Sequence, residues 1–182
     1  MKSAKPETLQ KGKSVYLRRP ARDDLEAFLS LVSASRGLHR PWVYPPNNER
    51  AFYAYVKRAC SERFLGCLIC LPSGAIVGVA NLSEIVRGVF RCAYLSYYGN
   101  VAYSGRGLMR EGVQLMLRQA FRKERLHRLE ANVQPENVRS ISLLRALGFE
   151  KEGFSPKYLK IGGRWRDHER WALLAEDFKP GK

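Results

Sequence analysis

A single domain built on a mixed α/β sheet flanked by helices is predicted by three observations. Short apolar runs of strand composition and amphipathic stretches of helical period follow one another as strand, helix, helix, three strands, helix, strand, helix, two strands. The 182 residues, 45% of them hydrophobic, suffice for one substantial core and are too few for two comfortable ones. A mixed sheet with helices on its faces is the natural way to bury all of those apolar stripes.

Each element has its own signature. Residues 1–13 are polar and read as a flexible tail ahead of a domain at 14–178, with 179–182 as a C-terminal tail. "SVYLRR" has strand composition, and "ARDDLEAFLSLVSAS" opens with acids and repeats Leu25, Phe28, Leu29 and Val32 at helical spacing. "RGLHRPWVYPPNN" is dense in Pro, Asn and aromatics, which marks a loop; its Trp42 is either a wall for substrate or an aromatic that packs the loop down. Phe52, Tyr55, Val56 and Ala59 mark a second helix. "RFLGCLICL", "AIVGVANLSEI" and "VFRCAYLSYY", separated by Pro72-Ser73-Gly74 and Arg87-Gly88, predict an antiparallel meander. After "YSGRGLMREG", the stripe Met109, Val113, Met116, Leu117, Ala120 and Phe121 is a helix packed on a core. "HRLEANVQ" alternates strictly until Pro135, and "ENVRSISLLRAL" then forms a helix with Val138, Ile141, Leu144 and Leu147 inward and Gly148 at its C-terminal end. "FSPKYLKI", Gly162-Gly163 and "RWRDHERWALL" close the chain as a hairpin.

Composition narrows the function classes. No run approaches the roughly 20 apolar residues that cross a bilayer, and the N-terminus lacks the apolar centre of a secretory signal, so a cytoplasmic protein without membrane contact is expected. Cys60, Cys67, Cys70 and Cys92 lie in apolar surroundings and are expected to be buried thiols. Cys67 and Cys70, three apart on a strand, point to opposite faces, and no second pair or nearby His completes a zinc site. The excess of 32 basic over 17 acidic residues, a formal charge of +15, suits polyanions: nucleic acid, a ribosomal surface or a phosphorylated cofactor.

The stretch "YSGRGLMREG" narrows them further. A Gly-rich bend feeding a helix leaves backbone N–H groups unpaired and aimed forward, where the helix dipole also favours negative charge. Phosphate is the usual occupant, and a merely tight turn is the alternative. The coupled set "SGRGLMREG", "NVQPENVRS", "LLRALGFEKEG" and "GGRWRDH" resembles the Gcn5-related N-acetyltransferase (GNAT) family, in its RimJ-like branch of ribosomal-protein-alanine N-acetyltransferases. The family's loop pattern, Gln/Arg-x-x-Gly-x-Gly/Ala, falls on residues 104–109, where Ser104 and Met109 depart from it.

The resemblance implies the GNAT fold, a mostly antiparallel twisted sheet of about seven strands with helices on both faces, and acetyl-CoA as co-substrate with no metal. Its pyrophosphate would lie on Ser104, Gly105, Arg106, Gly107, Leu108 and Met109, with Arg106 turned either to a phosphate or to solvent. Its pantetheine arm would run beside Tyr97, Tyr98 and Gly99, with Asn137 and Ser140 approaching from the next helix. Asn137 as a helix cap and Ser140 as a solvated hydroxyl are the plain alternatives.

Acetyl transfer needs a neutral amine, donors for developing oxyanion charge and a proton for the departing thiolate. An α-amino group, with an ordinary pKa of about 7.7 to 8.0, is roughly 10% neutral at pH 7, whereas a lysine near about 10.4 is almost wholly charged. A protein N-terminus, ribosomal by resemblance, is therefore the expected acceptor. Glu130, on the polar face of "HRLEANVQ" with Asn132, is the candidate base, or equally a surface partner of Arg128 or Lys123. Ser140 is expected at the thiolate, with Tyr98 in reserve. Tyr94, Asn132 and Trp42 are candidate acceptor contacts, with packing as the alternative for Tyr94. Asp167 and His168, adjacent on a strand, splay apart and form no catalytic pair; separate structural or substrate-binding roles remain for them. Monomer or homodimer is expected, with ribosome or RNA contact through the basic charge. A small-molecule amine acetyltransferase and a non-catalytic basic RNA-binding protein on the same scaffold are the rival readings.

Overall fold

The computed structural model describes residues 6–179. β1 (Thr8–Lys11) and β2 (Tyr16–Arg18) lead through a 3-10 turn to α1 (Leu25–Ala34), α2 (Arg36–His39) and, past a loop, α3 (Glu49–Arg58). β3 (Cys60–Ser61), β4 (Phe64–Cys70), β5 (Ile76–Val86) and β6 (Cys92–Gly99) follow, then α4 (Leu108–Arg118), which runs on into a π-helical turn, Gln119–Lys123. β7 (Arg128–Val133), α5 (Val138–Ala146), β8 (Glu150–Ile161) and β9 (Arg164–Leu174) complete the order. The strands form one sheet, β1-β2-β4-β5-β6-β7-β9-β8, with β3 paired off β4. The seven expected strands are all present, and the two-residue β3 and the four-residue β1 add to them.

β1 corrects the expected tail. Thr8–Lys11 pairs antiparallel with β2, and the Glu111 carboxylate on α4 accepts the N–H of Ser14 at 2.7 Å and of Val15 at 3.3 Å. Residues 1–5 of that tail, and 180–182 of the other, lie outside the described residues.

The sheet separates two cores. β4 shows why its sequence is apolar without a break: Leu65, Cys67 and Ile69 face α4 and α5, while Phe64, Leu68 and Cys70 face α1 and α3. Val113, Met116, Leu117, Ile141 and Leu144 fill the first core; Phe28, Leu31, Phe52 and Tyr55 fill the second. Each such side chain contributes about 1.5–3 kcal/mol by leaving water. At Gly112 an added Cβ would stand 2.5 Å from Ile69, so glycine is what lets α4 lie against β4. A buried two-pronged pair, Arg18 to Asp24 at 2.7 and 2.6 Å, ties β2 to the start of α1.

Two packing expectations are corrected. Val138 is 66% exposed, because it opens the first turn of α5 before the helix settles onto the sheet. Cys60 is exposed on the short β3, whereas Cys67, Cys70 and Cys92 are buried; burial pushes the Cys67 thiol up to about 12 and that of Cys70 to about 11.

Candidate active site

The site begins with a failure of strand pairing. β6 and β7 run parallel and pair only at Cys92↔Arg128, Ala93↔Leu129 and Tyr94↔Glu130. Beyond that, β6 stays with β5 as far as Gly99, and β7 stays with β9 as far as Val133, so the two strands part. Alternate main-chain groups of β6 past Tyr94 therefore face the gap without a strand partner. A cleft of about 1710 Å³ fills it, walled by residues 95–100 on one side and 131–134 on the other.

At one end lies the glycine bend. Gly105 and Gly107 have φ of 75° and 73°, in the left-handed region that favours glycine, and a Cβ at either would meet nothing within 4 Å. Gly107 is also the N-cap of the eleven-residue α4 and has no side chain to occupy the first-turn N–H groups. Ser104, Gly105, Gly107, Met109 and Arg110 line the cleft here, an open cradle of donors suited to a diphosphate. Leu108 and Arg106, both expected at the cofactor, do not line it; Arg106 takes the outward alternative, its guanidinium 5.8 Å from the Tyr103 ring centroid.

Across the gap, α5 brings Asn137 and Ser140 to Tyr97. The Asn137 side chain accepts the Ser140 N–H at 3.2 Å, so it is the helix cap as well as part of the wall. Ser140 Oγ and the Tyr97 hydroxyl share a 2.8 Å hydrogen bond. Burial pushes the Tyr97 phenol up to about 12, against the pull of Ser140, so it stays protonated at neutral pH. Two linked hydroxyls thus meet in the cleft.

The α1–α3 face closes the other side with Trp42, Tyr44, Tyr55 and Arg58, and the hairpin adds Leu159, Ile161 and His168. Tyr55 donates to Asn81 Oδ1 at 2.9 Å in the interior. Asn132, a candidate acceptor contact, lines the cleft, and its Oδ1 is buried with no hydrogen-bond partner among the described residues. His39 is a wall residue that the sequence pattern did not single out. Its Nε2 sits 2.7 Å from the Gly99 carbonyl, which can only accept, so Nε2 carries the proton and Nδ1, buried and unpartnered, does not. Burial holds His39 below the ordinary histidine range.

Two expected contacts fall elsewhere. Tyr94 does not line the cleft: it sits on the last rung that β6 shares with β7, before the strands part, and burial raises its phenol, beside Tyr158, to about 12. Glu130 sits on the last paired rung, outside the cleft, and accepts from Arg128 Nε at 2.8 Å; Arg128 also binds Glu152. The surface-partner reading of Glu130 is the one the geometry supports.

Residues 14–150, which take in the parted strands, the glycine bend and the hydroxyl pair, match the family model described as acetyltransferase (GNAT) domain. The chain belongs to that family. It is 47% identical over 107 residues to the [ribosomal protein uS5]-alanine N-acetyltransferase of Escherichia coli; this match takes in 59% of the chain and 55% of that enzyme, about half the relative's length. It is 31% identical to the Escherichia coli spermidine N(1)-acetyltransferase over 93% of each chain. Among solved structures, Mycobacterium smegmatis RimJ in complex with CoA-disulfide superposes with a TM-score of 0.82 at 29% identity, covering 89% of this chain and 82% of that one.

Proposed function

We propose that this protein transfers the acetyl group of acetyl-CoA to the α-amine of a protein N-terminus, a ribosomal one in keeping with its relative. The coenzyme supplies an activated acetyl thioester. The first-turn N–H groups of α4 and the Gly105–Gly107 bend would hold its diphosphate, and the unpaired main chain of β6 would align its arm. Ser140, bonded to Tyr97, would place a hydroxyl proton at the departing sulfur, and Tyr97 would replenish it. Asn132 Oδ1, an acceptor without a donor, suits the N–H groups of an incoming amine.

The observation that carries the choice of acceptor is the charge of the cleft. Arg40, Arg58, Arg110 and Arg139 line it against a single carboxylate, Glu136, which stands at the α5 end. Such a lining attracts an anionic coenzyme and opposes a polyamine, which needs carboxylates for its several cations. A peptide N-terminus brings one charge and, once that proton is lost, none. Incubation with acetyl-CoA, a panel of N-terminal peptides and spermidine, followed by mass spectrometry, tests this. Acetylated peptide α-amines are the expected product. Faster turnover of spermidine would assign a small-molecule acceptor instead. Coenzyme binding with no transfer to any amine, together with salt-sensitive RNA binding, would assign the non-catalytic reading.

A further inference from the structure

His168, splayed from Asp167 on its strand, belongs to the cleft wall. It is 3% exposed, on β9, and its Nδ1 lies 3.0 Å from the Arg166 carbonyl. A carbonyl only accepts, so Nδ1 carries the proton and Nε2 carries the lone pair. Among the described residues Nε2 has no hydrogen-bond partner, and the ring borders the same cleft as Asn132. The imidazole is thus held in the one tautomer that leaves a basic nitrogen free for a bound amine.

The geometry points to His168 Nε2 as the proton acceptor for the attacking amine, reached directly or through one water. The role rests on the acetyl-transfer reading above. The amine enters as an ammonium and loses one proton to Nε2, which later returns it to solvent. The freed nitrogen lone pair forms the C–N bond as the C–S bond breaks, and a second nitrogen proton balances the thiolate through the Ser140–Tyr97 hydroxyls. Two protons leave nitrogen, one reaches sulfur and one reaches water.

The surroundings keep the ring neutral and available. Tyr158 on β8 stands edge-on with its centroid 6.2 Å away, and Ser155 is the residue opposite. On its own strand, Asp167 is exposed and turned to the Lys157 N–H at 2.7 Å; Arg166 offers its carbonyl, and Arg170 lies over Gly153. On the neighbouring strand Asn132 and Gln134 are uncharged, and Glu130 is held by Arg128. Burial lowers His168 below the ordinary histidine range, against smaller opposing pulls from Arg166 and Asp167, so it is free base at neutral pH.

The test is kcat against pH at saturating peptide, for wild type and for His168→Asn, whose amide can still donate to the Arg166 carbonyl. Wild type is expected to reach its plateau above the pKa of the imidazole. The variant is expected to be about 100-fold slower at pH 6.5 and to keep climbing to about pH 8, where the amine deprotonates unaided. Coenzyme affinity by calorimetry should be unchanged. His168→Gln serves if the first variant folds poorly. Independently of turnover, nitrogen NMR of the ligand-free protein should show His168 protonated at Nδ1 and titrating below the ordinary histidine range. The same pH profile in variant and wild type, or an Nε2–H tautomer, overturns the role while leaving the acetyltransferase reading intact. Wild type that acetylates no amine removes both.

Discussion

Among individual residues, the hydroxyl pair is the sharpest object in the cleft. Ser140→Ala removes the hydroxyl proposed to serve the departing sulfur and leaves Tyr97 Oη without its side-chain partner. Its kcat should fall by about 100-fold with little change in KM for acetyl-CoA, as steady-state kinetics will show; an equal fall in affinity would make Ser140 a binding group. Glu130→Gln should leave the pH profile of peptide acetylation unaltered, because the carboxylate lies outside the cleft and bonded to Arg128. The resemblance placed Asn137 and Ser140 together on one helix, and the structure sets both in the cleft wall. Glu130 was legible only to its strand face: alternation says which side of a sheet a residue occupies, but not that β6 and β7 are still paired at its level. His39 was invisible for a related reason, since its partner is a backbone carbonyl sixty residues away. Tyr94 fell outside the cleft for the same reason as Glu130, its partner on the last rung before the strands part.

Among elements, the bend before α4 does two jobs with one conformation. The same positive φ that turns the chain leaves the first-turn amides uncapped. Gly107→Asp would place a carboxylate where the diphosphate is expected, in a backbone conformation that a side chain resists. Coenzyme affinity should weaken by at least about 10-fold in calorimetry. A melting temperature within a few degrees of wild type would show that the loss is local, and unchanged affinity would contradict the loop assignment. The order of helices and strands, the hairpin and the meander could all be read from period and turn residues. β1 could not, because "TLQK" has a single apolar residue, Leu9, which packs against the core, and is held chiefly by pairing with β2 at the sheet's margin. Val138 carried a helical-period signal into a turn that does not touch the core.

For the whole molecule, two buried neutral histidines shape stability. His39 and His168 both have folded pKa values below the unfolded value of about 6.5. Below that unfolded value the denatured chain binds more protons, so stability falls as pH drops towards the folded pKa values and levels off beneath them. The melting temperature by scanning fluorimetry should therefore decline from pH 7 to pH 5; a flat curve would contradict neutral burial of both rings. The net charge of +15 was visible from composition, but its arrangement, four arginines against one glutamate around the cleft, emerges only when four separate segments converge. The parted strands carry one more implication. Most sheets have two margins, and naked margins invite foreign chains to add on. Here the break between β6 and β7 creates two additional ones that face each other within one molecule, so their main-chain donors and acceptors stay ready for a slender guest.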